Sequence, residues 1–133
     1  MDSDVLDIDT SRRRIVDLTD AVRKFCTTHG DGLLNVFVPH ATAGLAIIET
    51  GSGSDDDLVD TLERLLPRDD RYRHQHGSPG HGADHVLPAI VSPSVTVPVA
   101  DGEPLLGTWQ SVVLVDLNRD NPQRKVRLSF VDG

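Results

Sequence analysis

Short runs of β-branched and aliphatic residues, each soon ended by glycine, proline, aspartate or asparagine, dominate this chain and push it towards a sheet. The strongest is Gly32 to Pro39 (GLLNVFVP), which reads as a buried strand, and Leu45 to Glu49 (LAIIE) follows it after a turn. Val5 to Asp9 and Arg14 to Leu18 precede them. Val95, Val97 and Val99 alternate with Thr96, Pro98 and Ala100, the pattern of a half-buried edge strand that ends at the turn Asp101-Gly102. Val112 to Leu117 and Val126 to Val131 come last, joined by a turn from Asn118 to Gln123. Helical periodicity occurs in few places. Leu18, Val22, Phe25 and Cys26 form one stripe, on a helix that Thr19 or Asp20 would cap and Gly30 would end, with His29 beside its C-terminal dipole. Leu58, Leu62 and Leu65 form another between Ser54 and about Leu66, stopped by Pro67. A short third helix is expected from Asp84 to Val91, with Pro88 in its first turn or at a kink. This order predicts an α+β fold, with two main helices and a short third packed on a mostly antiparallel or mixed sheet.

The 133 residues suit one domain spanning 1–133, able to bury roughly two-thirds of its unfolded surface. A formal charge of −8 opposes phosphate backbones, so no nucleic-acid partner is expected. The one basic run, Arg12-Arg13-Arg14, lies beside acidic neighbours and reads as a solvated face. Cys26 is the only cysteine, which excludes an intrachain disulfide and suits a small core residue. No apolar run approaches the roughly 18 residues of a membrane helix, and the start MDSDVLDID is too acidic for a signal peptide. A cytoplasmic protein with no membrane partner is the default.

Chemistry-bearing residues concentrate between His40 and His85. His74, His76, His81 and His85 crowd one glycine-rich stretch, and His40 ends a buried strand. Neutral imidazoles bind transition metals, and three of them would leave an open position on the ion. The spacings match no HExxH or cysteine signature, so a wet, His-rich loop is the competing reading. Glu49 closes an apolar strand, either as a ligand or general base or because the strand surfaces there. Asp57 stands three residues after Ser54, in the pattern of a capping box, and that structural role competes with a functional one. Gly107-Thr108-Trp109-Gln110 holds the only tryptophan, either a core residue in a turn or a flat surface beside a hydroxyl and an amide.

Taken together these segments resemble the YjbQ family, also labelled secondary thiamine-phosphate synthase enzymes. The carrying residues are His40-Ala41-Thr42-Ala43-Gly44-Leu45, Glu49, Asp57-Leu58, Pro67, Tyr72-Arg73-His74 and His85. Pro98-Val99-x-x-Gly102 and Gly107-Thr108-Trp109-Gln110 complete the likeness, which spans nearly the whole chain. The resemblance implies a large mixed sheet, a homotrimer, and a divalent metal, zinc by preference, on His40, His74 and His85. It places Glu49, Asp57, Thr108, Trp109 and Gln110 at the same site. The activity it implies is weak. That activity joins hydroxymethylpyrimidine pyrophosphate to hydroxyethylthiazole phosphate, with Arg124 or Lys125 helping to neutralise pyrophosphate and Trp109 stacking on a heterocycle. The chain departs from the pattern at Gly82-Ala83-Asp84, where the family often has an asparagine, and His76 and His81 are extra. Two alternatives remain: a non-catalytic trimer that binds a metal or small ligand, and a metal-dependent hydrolase in which Glu49 activates bound water.

Overall fold

A computed structural model describes residues 1–75 and 77–133. Eight strands and three helices follow one another along the described chain. They are β1 (Asp2–Asp9), β2 (Ile15–Asp17), α1 (Thr19–Cys26), β3 (Gly32–Phe37), β4 (Gly44–Ile48) and α2 (Ser54–Leu65). Then come α3 (His81–Ile90), β5 (Ser94–Ala100), β6 (Glu103–Pro104), β7 (Ser111–Val115) and β8 (Gln123–Asp132). The order matches the sequence expectation, with the two-residue β6 added. Each strand pairing is antiparallel, in a five-stranded sheet β1-β8-β3-β5-β6 and a three-stranded sheet β2-β7-β4. The antiparallel alternative therefore holds among the described residues, in two sheets rather than one large mixed sheet.

β7 explains the layering. Val112, Val113, Leu114 and Val115 are all fully buried, so both faces of this strand are covered. Val112 and Leu114 pack towards the five-stranded sheet, against Leu34, Val36, Val126, Leu128 and Phe130, with Val22 and Cys26 of α1. Val113 and Val115 pack the other way, against Leu62 of α2 and Ala83 and Leu87 of α3. The three-stranded sheet is thus the middle layer. On the far side of the five-stranded sheet Leu33, Phe37 and Val131 stay exposed.

Several local expectations change for physical reasons. Thr19 and Asp20 do not cap α1: the Asp17 carboxylate accepts from the Thr19 amide at 2.9 Å, and the Thr19 hydroxyl accepts from the Val112 amide at 3.0 Å. Gly30 is not its left-handed stop, because the helix ends earlier and Thr27 remains right-handed. The capping box at α2 does not form, since Gly53 (φ 97°) takes the N-cap position and moves Ser54 inside the helix. Pro88 sits in the last turn of α3 rather than its first, where it forgoes only the bond to the Asp84 carbonyl and the helix still closes with the Val91 N–H on the Leu87 carbonyl. Gly44 is required sterically, because a Cβ there would lie 2.1 Å from the Val91 carbonyl oxygen.

A buried ion pair ties the layers together at the C-terminal end of β7. Arg124 donates to Asp116 from Nε (2.7 Å) and Nη2 (3.0 Å), with side chains only 2% and 0% exposed. The Thr10 hydroxyl (2.6 Å) and the Asn118 amide (2.9 Å) also donate to that carboxylate, and Arg124 Nη2 reaches the Thr42 hydroxyl at 2.7 Å. Removing one partner leaves the other charge buried without compensation. Asp116→Ala is expected to cost about 3–5 kcal/mol, read as a lowered urea midpoint. A loss below about 1 kcal/mol would show that water reaches the guanidinium.

Candidate metal centre

α3 begins at Gly80, whose left-handed backbone (φ 91°) turns the chain into the helix. His81 and His85 then stand four residues apart on one helical face. His74 comes from the preceding segment and is laid against that face by Gly82. A Cβ on Gly82 would meet the His74 carbonyl oxygen at 2.7 Å and Tyr72 Cβ at 2.6 Å, so only glycine allows this approach. Below, Arg68 grips the buried Asp84 with both terminal guanidinium nitrogens, fixing the strap to the helix.

The result is a tight group of imidazoles. One ring nitrogen from each of His74, His81 and His85 lies within 4.8 Å of the other two. The His74 ring centroid is 4.0 Å from that of His85 and 5.2 Å from that of His81. His81 Nε2 and His85 Nε2 face each other at 2.9 Å. The protonation of His81 is directed from behind, where its Nδ1 lies 2.8 Å from the Asp120 carboxylate and 3.3 Å from Asn118 Nδ2. The shorter, charge-assisted contact makes Nδ1 the donor and leaves a lone pair on Nε2. This carboxylate–histidine arrangement is the one that orients metal-binding imidazoles. Hydrogen bonding from Ser78, whose amide is 3.3 and 3.2 Å from the two oxygens, holds Asp120 below the ordinary carboxylate range, and His81 adds to the effect.

The donor set fits a divalent transition metal. Bonds of about 2.0–2.1 Å at tetrahedral angles put ligating nitrogens about 3.3 Å apart, within reach of the observed spacing by small ring rotations. A cavity of about 290 Å³ opens beside the group, lined by Asp69, Asp70, His74, Gln75, Ser78 and His81.

The remaining expected site residues lie elsewhere. His40 stands outside the three-imidazole group, and its Nε2 accepts from the Lys125 amide at 2.9 Å. Burial and then the Arg124 charge push its pKa below the usual histidine value. It nevertheless lies at the same end of β7, bound by the amide of Lys125 next to the Arg124–Asp116 pair. Glu49 and Asp57 are exposed, and neither side chain is hydrogen-bonded among the described residues. Trp109 is 73% exposed rather than a core residue, on a turn closed by Gln110 Oε1, which accepts from the Gly107 amide at 2.8 Å. Thr108 is exposed on the same turn. A hydroxyl contact from Thr50 to Ser111 (3.3 Å) sets Glu49 beside that turn, at the start of β7. The imidazoles sit at its other end, roughly 20 Å away at 3.3 Å per residue. Arg124 cannot neutralise a ligand, being consumed by Asp116, and Lys125 pairs with Asp7 at 2.6 Å. His76 lies outside the described residues.

His81 counts in the histidine cluster of the sequence but is set aside as extra to the family pattern, with the third helix started only at Asp84. Three residues earlier, the same chain reads His-x-x-x-His on a helix entered by glycine. Asn118 and Asp120 gave no signal beyond turn chemistry.

These features occur on a fold shared with known proteins. The family model described as UPF0047 protein YjbQ-like matches residues 4–133, so the chain belongs to the YjbQ family. It is 82% identical over 133 residues to UPF0047 protein Rv2556c of Mycobacterium tuberculosis, covering all of both chains. It is 33% identical over 122 residues to a UPF0047 protein of Archaeoglobus fulgidus, covering 91% of this chain and 95% of that one. The crystal structure of hypothetical protein APE1520 from Aeropyrum pernix superposes with a TM-score of 0.90 at 28% identity, covering all of both chains. Among the described residues, no helix is long and apolar enough to cross a membrane.

His40 provides a test by pH. A histidine whose folded pKa lies below its unfolded value of 6.5 takes up its proton first in the unfolded chain. Its contribution to stability is complete above about pH 6.5 and is lost as pH falls through that value towards the folded pKa. His40→Gln should therefore flatten the fall in urea midpoint between neutral and mildly acidic pH, compared with the parent protein. An unchanged slope would mean that His40 is as solvated in the fold as in the unfolded chain.

Proposed function

We propose that this chain is a metal-dependent transferase of the thiamine-phosphate synthase type, with the ion on His74, His81 and His85. The observation that carries this reading is the convergence of three imidazoles beside an open cavity, one of them oriented by Asp120. It revises the ligand set that the family resemblance implies, exchanging His40 for His81. Bound there, a divalent ion would supply positive charge for a departing pyrophosphate. In the reaction the carbon–oxygen bond of a pyrimidine-methyl pyrophosphate breaks and the electron pair leaves with pyrophosphate. The thiazole nitrogen then donates its lone pair to form the new carbon–nitrogen bond. The chain's own residues orient and exclude: Asp120 holds the His81 ring, and Gly82 keeps His74 in place. Glu49 stands too far along β7 to serve as a hydrolytic base at the same centre within one chain.

That separation also favours assembly. We take the protein to be a homotrimer in which a second copy brings Glu49, Asp57 and the Trp109 turn towards these imidazoles. The exposed Leu33 and Val131, which are paired across β3 and β8, belong to an apolar face available for such contact. Light scattering should give three chains per particle, and a stable monomer at micromolar concentration would sink this assembly.

For the metal, elemental analysis of purified protein should find about one divalent ion per chain. His74→Ala, His81→Ala and His85→Ala should each lose it, whereas His40→Ala should retain it. Thiamine-phosphate formation should fall with chelator and return with added zinc. Full metal occupancy without product formation would leave a metal-binding protein and remove the transferase reading. Metal lost from His40→Ala but kept by His81→Ala would restore the ligand set implied by the family.

A further inference from the structure

The basic run that reads as a solvated face does more than that in three dimensions. Arg12, Arg13 and Arg14 follow β1, and Arg119 follows β7. All four line one cleft of about 430 Å³ at the C-terminal end of β7. Arg14 is engaged by Glu63. Among the described residues, Arg12, Arg13 and Arg119 make no side-chain hydrogen bond or ion pair. The only carboxylate lining the cleft is Asp116, and its oxygens are taken by Arg124, Thr10 and the Asn118 amide. The cleft therefore gathers three guanidinium groups that no carboxylate binds directly, although Arg12 acts on the exposed Asp9 and Arg12 and Arg13 also border Asp55, Asp56 and Asp60 in the neighbouring cleft.

From this we infer that the cleft binds the phosphate or pyrophosphate group of a small molecule. Guanidinium forks match phosphate oxygens two at a time, which a single ammonium cannot do. The volume lies in the range of small-ligand sites and leaves room for an organic group beyond the phosphates. A nucleic-acid strand fits less well. On the other side of the arginine run Asp55, Asp56 and Asp60 of α2 line a broader cleft of about 700 Å³ and would repel a continuous polyanion. The cleft adjoins the metal centre, because Asn118 lines it and also touches His81. This inference names the substrate class for the proposed transferase but rests on the arginines alone, and it stands if no metal is found.

Calorimetric titration of the purified protein with sodium pyrophosphate, orthophosphate and, as control, sulfate at equal ionic strength tests it. Pyrophosphate should bind, and the Arg12→Ala/Arg119→Ala double variant should bind it about tenfold more weakly or worse. Neither side chain is hydrogen-bonded, so an unchanged melting temperature should accompany that loss. Protein stripped of metal by a chelator that is then dialysed away should still bind pyrophosphate, because the arginines remain. Three results would overturn the inference. The first is no binding up to about 10 mM pyrophosphate, or sulfate binding as tightly as pyrophosphate. The second is equal affinity in the double variant, or binding lost from metal-stripped protein but kept by the double variant, which would assign the anion to the metal. The third is a short RNA that binds more tightly than pyrophosphate and is lost in the double variant, which would assign the cleft to a polymer backbone.

Discussion

The bidentate pair between Arg124 and Asp116 is the contact on which the functional end of this protein depends. Asp116 directly follows β7, the strand buried on both faces, and Arg124 lies near the start of β8 in the other sheet. Their union fixes how the two sheets meet at one end. Desolvating both charges is expensive, and the pair is tolerable because Thr10, Thr42 and the Asn118 amide complete its hydrogen bonding. Each of those partners belongs to a different functional segment. Thr10 leads into the arginine run, Thr42 lies in the turn with His40, and Asn118 opens the loop that orients His81. The charge pair is itself saturated by these partners, and it sets the positions of the segments proposed above to bind a ligand.

The same geometry separates two sets of residues that family resemblance places at one site. β7 is short, yet its two ends differ in what they hold. At its start are Glu49, Thr108, Trp109 and Gln110, and at its end the imidazoles, the arginine cleft and His40. A continuous, fully buried strand cannot bend to bring these together. Chemistry that needed both sets would have to recruit the second from another copy, which is the assembly proposed above.

Much of the fold was legible because its signals are local. Valine-rich runs ended by glycine and aspartate made strands, and leucines at helical spacing made α2. What failed was set by contacts distant in sequence. Asp17 rather than Thr19 serves the start of α1, because the Thr19 hydroxyl is taken by β7. The sequence leaves Trp109 open between a core residue and a flat surface in a turn, and only the surroundings of its turn, which leave it 73% exposed, decide between them. Of the candidate site, the crowding of histidines was visible and the membership was not. His81 depends on where α3 begins, and that depends on Gly80 adopting a left-handed backbone against the Arg68 guanidinium. Its partner Asp120 lies far along the chain, and nothing local distinguishes it from other aspartates in turns.

Charge shows the same limit more sharply. A formal −8 argues against anionic partners only if a ligand feels the whole molecule, and in physiological salt it does not, because screening acts over about 8 Å. Nine of the 21 acidic residues lie on β1 and α2, while Arg12, Arg13 and Arg119 gather round a cleft whose one carboxylate is already neutralised. Net charge then governs solubility and the approach of long polyanions, and local charge governs a small one. The two together favour a compact phosphate ester over a nucleic-acid strand. Burying Arg124 against Asp116 silences the one carboxylate that lines this cleft, so the charge a small anion would meet there is set by the neighbouring arginines.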